Sequence, residues 1–102
     1  MDRKTASIAK RFAKFLKNKL DAEKVILFGS RARGDHTQSS DFDFIIISKK
    51  FEKVPIIFRM SLIYDYWTNN IDVEALCFTP EEFKRKTNTG ILKKALSEGI
   101  EI

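Results

Sequence analysis

The chain has 102 residues, enough for one domain and too few for a second, and its 43% hydrophobic content excludes a disordered chain. Lys and Arg number 19 against 14 Asp and Glu, a net charge of +5 that suits polyanions such as nucleotides or RNA, an acidic partner protein, or simply a solvated lysine-rich surface. A lone cysteine, Cys77, excludes an internal disulfide framework or Cys-based zinc site; with no apolar run near the roughly 18 residues of a membrane helix and no signal-peptide pattern, one cytoplasmic domain over 1–102 is expected.

In chain order, Ile8, Phe12, Phe15, Leu16 and Leu20 recur at helical spacing, predicting an amphipathic helix over about 5–20. Lys10, Lys14 and Lys17 fall mainly off that stripe. Residues 24–28 read as a short apolar strand, and 29–40 as a turn and loop rich in Gly, Ser, Thr and Asp. Residues 42–48 are nearly continuously apolar, as expected of a strand buried on both faces. A charged connection over 49–53 leads to a helical pattern over 54–67, which includes Tyr64, Tyr66 and Trp67. Residues 71–78 alternate weakly and read as a third strand. Thr79-Pro80-Glu81-Glu82 predicts a capping box opening a helix toward Lys86. Gly90 reads as its interruption, 91–97 as a last helix, and Gly99 as that helix's cap.

The loop between the first two strands is short for a crossover, which predicts antiparallel neighbours. The helix between the second and third predicts a parallel, right-handed connection. The expected fold is therefore α/β in the α+β sense, a small mixed sheet of three or more strands flanked by helices. This topology brings the end of strand one, at Gly29, near the start of strand two, at Asp41 and Asp43. Asp72, at the start of strand three, falls at the same sheet edge.

The stretch G-S-R-A-R-G-D-H-T-Q-S-S-D-F-D over 29–43 carries the chemistry. Asp41 and Asp43, two apart on a strand, point to one face at a spacing of roughly 6–7 Å. Two such carboxylates repel, so one takes up a proton or both need a cation. Oxygen-only ligands suit Mg²⁺. The Gly-Ser turn lets backbone N–H groups approach phosphate, with Arg31 and Arg33 beside it. Together these point to chemistry on a nucleoside triphosphate. His36, the one histidine, lies in a polar loop without a second ligand for zinc.

The pattern G-S-x-A-R-G followed by S-D-x-D and an apolar strand resembles the nucleotidyltransferase superfamily that includes DNA polymerase beta. Length and the R-A-R-G loop look closest to the minimal nucleotidyltransferases, the MNT proteins. The resemblance implies that fold, with Asp41, Asp43 and Asp72 as catalytic metal-binding carboxylates and Glu74 as rival to Asp72. It implies a nucleotide-binding set of Gly29, Ser30 and Arg33, two Mg²⁺ ions, and transfer of AMP from ATP to a hydroxyl. It also implies a helical HEPN toxin as partner, modified on a tyrosine, with this chain as antitoxin. The alternatives are a small-molecule acceptor, a module that neutralises its partner by masking alone, and a basic RNA-binding adaptor. The last is disfavoured by the want of an aromatic-rich RNA signature.

Overall fold

The computed structural model describes residues 1–102. Four strands, β1 (Lys24–Phe28), β2 (Phe42–Ile47), β3 (Val73–Phe78) and β4 (Ile100–Glu101), form one mixed sheet in the order β3-β2-β1-β4. β1 and β2 are antiparallel, and β2 and β3 are parallel, both as the loop lengths predict. The helices are α1 (Arg3–Leu20), the single-turn α2 (Ser30–Arg33), α3 (Ile56–Tyr66), α4 (Pro80–Lys86) and α5 (Gly90–Glu98).

β2 lies between two neighbours in the sheet and buries both faces, so it reads as a run of apolar residues. On one side Phe42, Phe44 and Ile46 join Val25, Leu27 and Val73 beneath α1 and α3. Phe12, Phe42, Phe44 and Trp67 pack ring against ring there, with centroids 4.8–6.1 Å apart. The Trp67 indole N–H donates to the Ile71 carbonyl at 2.6 Å. Trp67 is thus a core residue, whereas Tyr64 on α3 stands outward. On the other side Ile26, Ile45 and Ile47 pack against Leu92 and Ala95 of α5. Cys77 is half-buried, its thiol pushed up to about 12 chiefly by burial, and behaves as a small hydrophobe.

The capping box forms as predicted, with Thr79 Oγ1 accepting from Glu82 N–H and Glu82 Oε1 accepting from Thr79 N–H. Three local expectations are corrected. The segment after Gly29 is a helical turn, α2, instead of open loop. The charged connection Lys49–Lys53 is a 3-10 helix that buries Phe51 completely. Gly90 opens α5 instead of breaking a continuing helix. Gly99 caps α5 as expected, its N–H donating to the Leu96 carbonyl, and leads directly into β4, which the sequence pattern missed. A Cβ on Gly99 would sit 2.7 Å from Ile26 Cγ2 and 3.0 Å from the Ala95 carbonyl, so only glycine lets α5 turn this tightly onto β1. No helix is long and apolar enough to cross a membrane.

Candidate active site

β1 ends at the turn that the sequence singles out. Gly29 adopts φ +75, the region that favours glycine. It is also needed for space, because a Cβ there would lie 2.3 Å from Asp43 Oδ2. The turn and the carboxylate are therefore in direct contact, across the register pair Phe28↔Asp43.

Asp43 extends the face of β2 that carries Ile45 and Ile47. In the parallel ladder it stands opposite Glu74. Asp41, two residues earlier and just before the strand, is near enough for its charge to act on Asp43. The Asp43 carboxyl is pushed up to about 6, first by burial, then by the charges of Glu74 and Asp41, with Glu98 adding and Arg33 opposing. One half-buried carboxylate thus faces three others, and the expected repulsion at 41 and 43 is a physical feature of the site.

Asp72 arrives differently. Its carbonyl accepts from Phe42 N–H at 2.9 Å, so its backbone reaches the same sheet edge, as the topology requires. Glu74 stands opposite Asp43 in the ladder, and its charge pushes the Asp43 carboxyl up. The expected convergence of Asp41, Asp43 and Asp72 on one point is not formed, and no three Asp, Glu, His or Cys side chains stand close enough to hold an ion. Glu74 stands level with Asp43 in the register, whereas Asp72 lies two residues earlier, at the exposed start of β3 and level with Asp41 by continuation of the ladder. The donor set fits a hard divalent cation in chemistry, being all carboxylate, on one face and mutually repelling. It does so as a row of side chains, not as a finished cage.

The two arginines beside the turn have separate fates. Arg31 is 1% exposed. Its guanidinium lies 4.4 Å from the Phe42 ring centre and donates to the carbonyls of Ser40, Gln38 and Thr37 and to Thr5 Oγ1. It therefore ties the loop between α2 and β2 to α1 and aims the chain entering Asp41; it is not a phosphate contact. Arg33 points outward and pairs with Asp35 and with both oxygens of Glu98 at 3.0 and 3.1 Å. These partners, Asp35 first, raise its pKa. Glu98 also accepts from the Gly29 N–H at 3.3 Å. Sequence reading missed this residue of α5 altogether.

An open cleft borders the acidic row, lined by Phe28, Met60, Tyr64, Glu74, Ala75 and Leu76. A second apolar recess, lined by Ile8, Phe12, Phe15, Tyr66 and Trp67, lies with α1 and the end of α3 on the opposite side of the sheet. It contains none of the acidic row. His36 is held beside Asp2, the N-cap of α1, and takes no part in the acidic corner.

Comparison with known proteins agrees with the fold. Residues 9–102 match the family described as nucleotidyltransferase domain. Two proteins of Methanocaldococcus jannaschii are similar over most of their lengths. "Putative protein adenylyltransferase MJ0604" is 34% identical, covering 88% of this chain and 89% of its own. "Putative protein adenylyltransferase MJ0141" is 36% identical, covering 85% and 83%. Among solved structures, one titled as a putative nucleotidyltransferase from Sulfolobus solfataricus superposes with a TM-score of 0.63 at 26% identity, over 80% of this chain and 73% of that one.

Proposed function

Because this chain belongs to the nucleotidyltransferase domain family and is an enzyme of nucleotidyl transfer, we propose that it moves AMP from ATP onto a hydroxyl of a partner protein. The observation that carries this reading is the contact between the Gly29 turn and Asp43, with Glu74 opposite Asp43 in the ladder and the Asp41 charge close by. A triphosphate bound at Gly29 and Ser30 would meet the acidic row directly. Asp41 and Asp43 would hold Mg²⁺, with Glu74 as third carboxylate in preference to Asp72, since its charge already bears on Asp43. The ions would neutralise the triphosphate and the departing pyrophosphate. In the transfer, the acceptor oxygen bonds the α-phosphorus as its bond to pyrophosphate breaks. The hydroxyl proton leaves to water.

A protein acceptor is supported by the printed names of the two archaeal relatives. It is supported also by the apolar side chains that α3 turns outward, Ile56, Ile57 and Phe58, with Tyr64 at the mouth of the cleft beside Glu74. Such a ridge suits docking of a macromolecule better than capture of a small polar acceptor. The partner we propose is the HEPN toxin implied by the sequence resemblance, modified on a tyrosine and thereby neutralised. The same ridge favours one rival, neutralisation by masking alone.

Mass spectrometry of the HEPN partner after incubation with this protein, Mg²⁺ and ATP tests the reading. The expected result is a gain of one or more AMP units. Asp43→Asn should remove about 4 kcal/mol of transition-state stabilisation, about a thousandfold in rate, without unfolding the chain. Glu74→Gln should cost more than Asp72→Asn. A tight complex whose partner mass never changes would establish masking instead.

A further inference from the structure

The nucleotide-facing corner already holds an anion, supplied by the chain itself. Glu98, the last residue of α5, accepts from the Gly29 N–H at 3.3 Å and takes the Arg33 guanidinium on both carboxylate oxygens, at 3.0 and 3.1 Å. Its side chain is only 18% exposed. Two oxygens shared among a backbone N–H and a guanidinium is the way proteins bind a phosphate oxyanion. The partners engaged are the ones a triphosphate would need at this turn.

We infer that Glu98 sets the enzyme's affinity for nucleoside triphosphate by occupying the phosphate subsite formed by Gly29 and Arg33, from which substrate must displace it. The inference rests on the reading of Gly29–Ser30 as the triphosphate-binding turn.

The placement is built into the fold. Glu98 is followed by Gly99, whose missing side chain lets the backbone close on Ile26, and then by β4, which pairs Ile100 with Leu27 of β1. β1 in turn ends at Phe28, one residue before the turn. The last strand therefore pins the end of α5 to the strand that delivers Gly29. Glu98 is held beside the turn by the two residues that follow it and does not arrive by side-chain reach alone. Displacement, by contrast, needs only rotation of the side chain, since Arg33 is 43% exposed and can follow the incoming phosphate.

A substrate that binds only the open form has its apparent affinity reduced by the open fraction. A contact closed about nine-tenths of the time lowers affinity about tenfold. Glu98 would also set specificity, since only a ligand carrying enough negative charge to replace a carboxylate can enter.

The test is direct binding, by calorimetry, of inorganic triphosphate, ATP and adenosine in the presence of Mg²⁺. The proteins are wild type, Glu98→Gln and Glu101→Gln. Glu101 is an exposed carboxylate on β4 and controls for the general change in net charge. Glu98→Gln should bind triphosphate and ATP about tenfold more tightly, with adenosine unchanged. Glu101→Gln should stay within about twofold of wild type for all three. Should Glu98→Gln melt early, Glu98→Ala provides the same readout. Equal triphosphate affinity in wild type and the Glu98 variants, or weaker binding in the latter, overturns the inference while leaving the nucleotide site standing. Binding of neither triphosphate nor ATP by any of the proteins overturns the site and the inference together.

Discussion

Asp43, near the start of β2, and Glu82, in the first turn of α4, are both carboxylates, and their surroundings push them in opposite directions. Glu82 faces Arg59, its guanidinium 2.6 Å away, and the arginine bond holds it down at about 2. Arg59 is anchored in turn, donating to the carbonyls of Val54, Phe51 and Cys77. That cluster ties α3, the 3-10 helix, β3 and α4 together, and every charge in it has a partner. Asp43 has burial and three like charges around it, and only Arg33 in opposition. Arg33 is itself engaged by Asp35 and Glu98. One region uses charge to hold the fold. The other keeps charge uncompensated in the native chain, a condition that favours ligands over stability.

The comparison breaks most visibly at Arg59. Arg59→Ala removes the guanidinium from three carbonyls and leaves Glu82 partly buried without its counter-charge. The expected loss is about 3 kcal/mol, or roughly 15 °C in melting temperature for a domain of this size. Chemical or thermal unfolding monitored by far-UV circular dichroism measures it. A loss under about 1 kcal/mol would mean that the cluster is only a surface ion pair.

Glu82→Gln is milder and has a pH signature. The amide keeps one acceptor for Arg59 and loses the charge, so about 1–2 kcal/mol should go at pH 7. The sign follows from the depressed carboxyl. Its stabilisation is present above the ordinary glutamate value of 4.5 and disappears as pH falls toward about 2. Melting curves of the two proteins should therefore separate at pH 7 and converge near pH 2. A gap that stays constant across that range contradicts the ionic role of Glu82.

Sequence legibility divides along the same line. The Thr79–Glu82 box was readable because both partners lie three residues apart. The further bond from Glu82 to Arg59 was not, because it spans 23 residues and depends on how α3 and α4 meet. The Asp41–Asp43 pair was readable because a strand repeats every two residues. Whether Asp72 or Glu74 accompanied it hung on the β2–β3 register, which strand pattern alone leaves open. Arg31 and Arg33 both flank the turn in the sequence, and only the family resemblance sets Arg33 apart. The single turn of α2 separates them, one under Phe42 and the other toward α5. Glu98 gave no signal, for its arrival 69 residues after Gly29 is arranged by a two-residue strand too short to show any period.

The smallest effect is the most diagnostic of the contrast. A carboxyl raised to about 6 in the folded chain, against an ordinary 3.8, favours the native state while protonated. That contribution is complete below pH 3.8 and is lost as pH climbs through about 6, so ionised Asp43 weighs against folding at neutral pH. Asp43→Asn, which keeps the shape and discards the charge, should then be more stable than wild type at pH 8 in EDTA. For a half-exposed group screened by water the gain should be about 1 kcal/mol, or about 5 °C in melting temperature. The advantage should vanish below pH 4, where both side chains are neutral. If the row holds Mg²⁺ as proposed, adding the ion at pH 8 should raise the melting temperature of wild type and leave the variant unmoved. An Asp43 substitution that strengthens the fold, opposite in sign to Glu82→Gln at the same pH, would separate the two carboxylates by role. An Asp43→Asn protein less stable than wild type at pH 8 would instead make Asp43 a structural partner like Glu82.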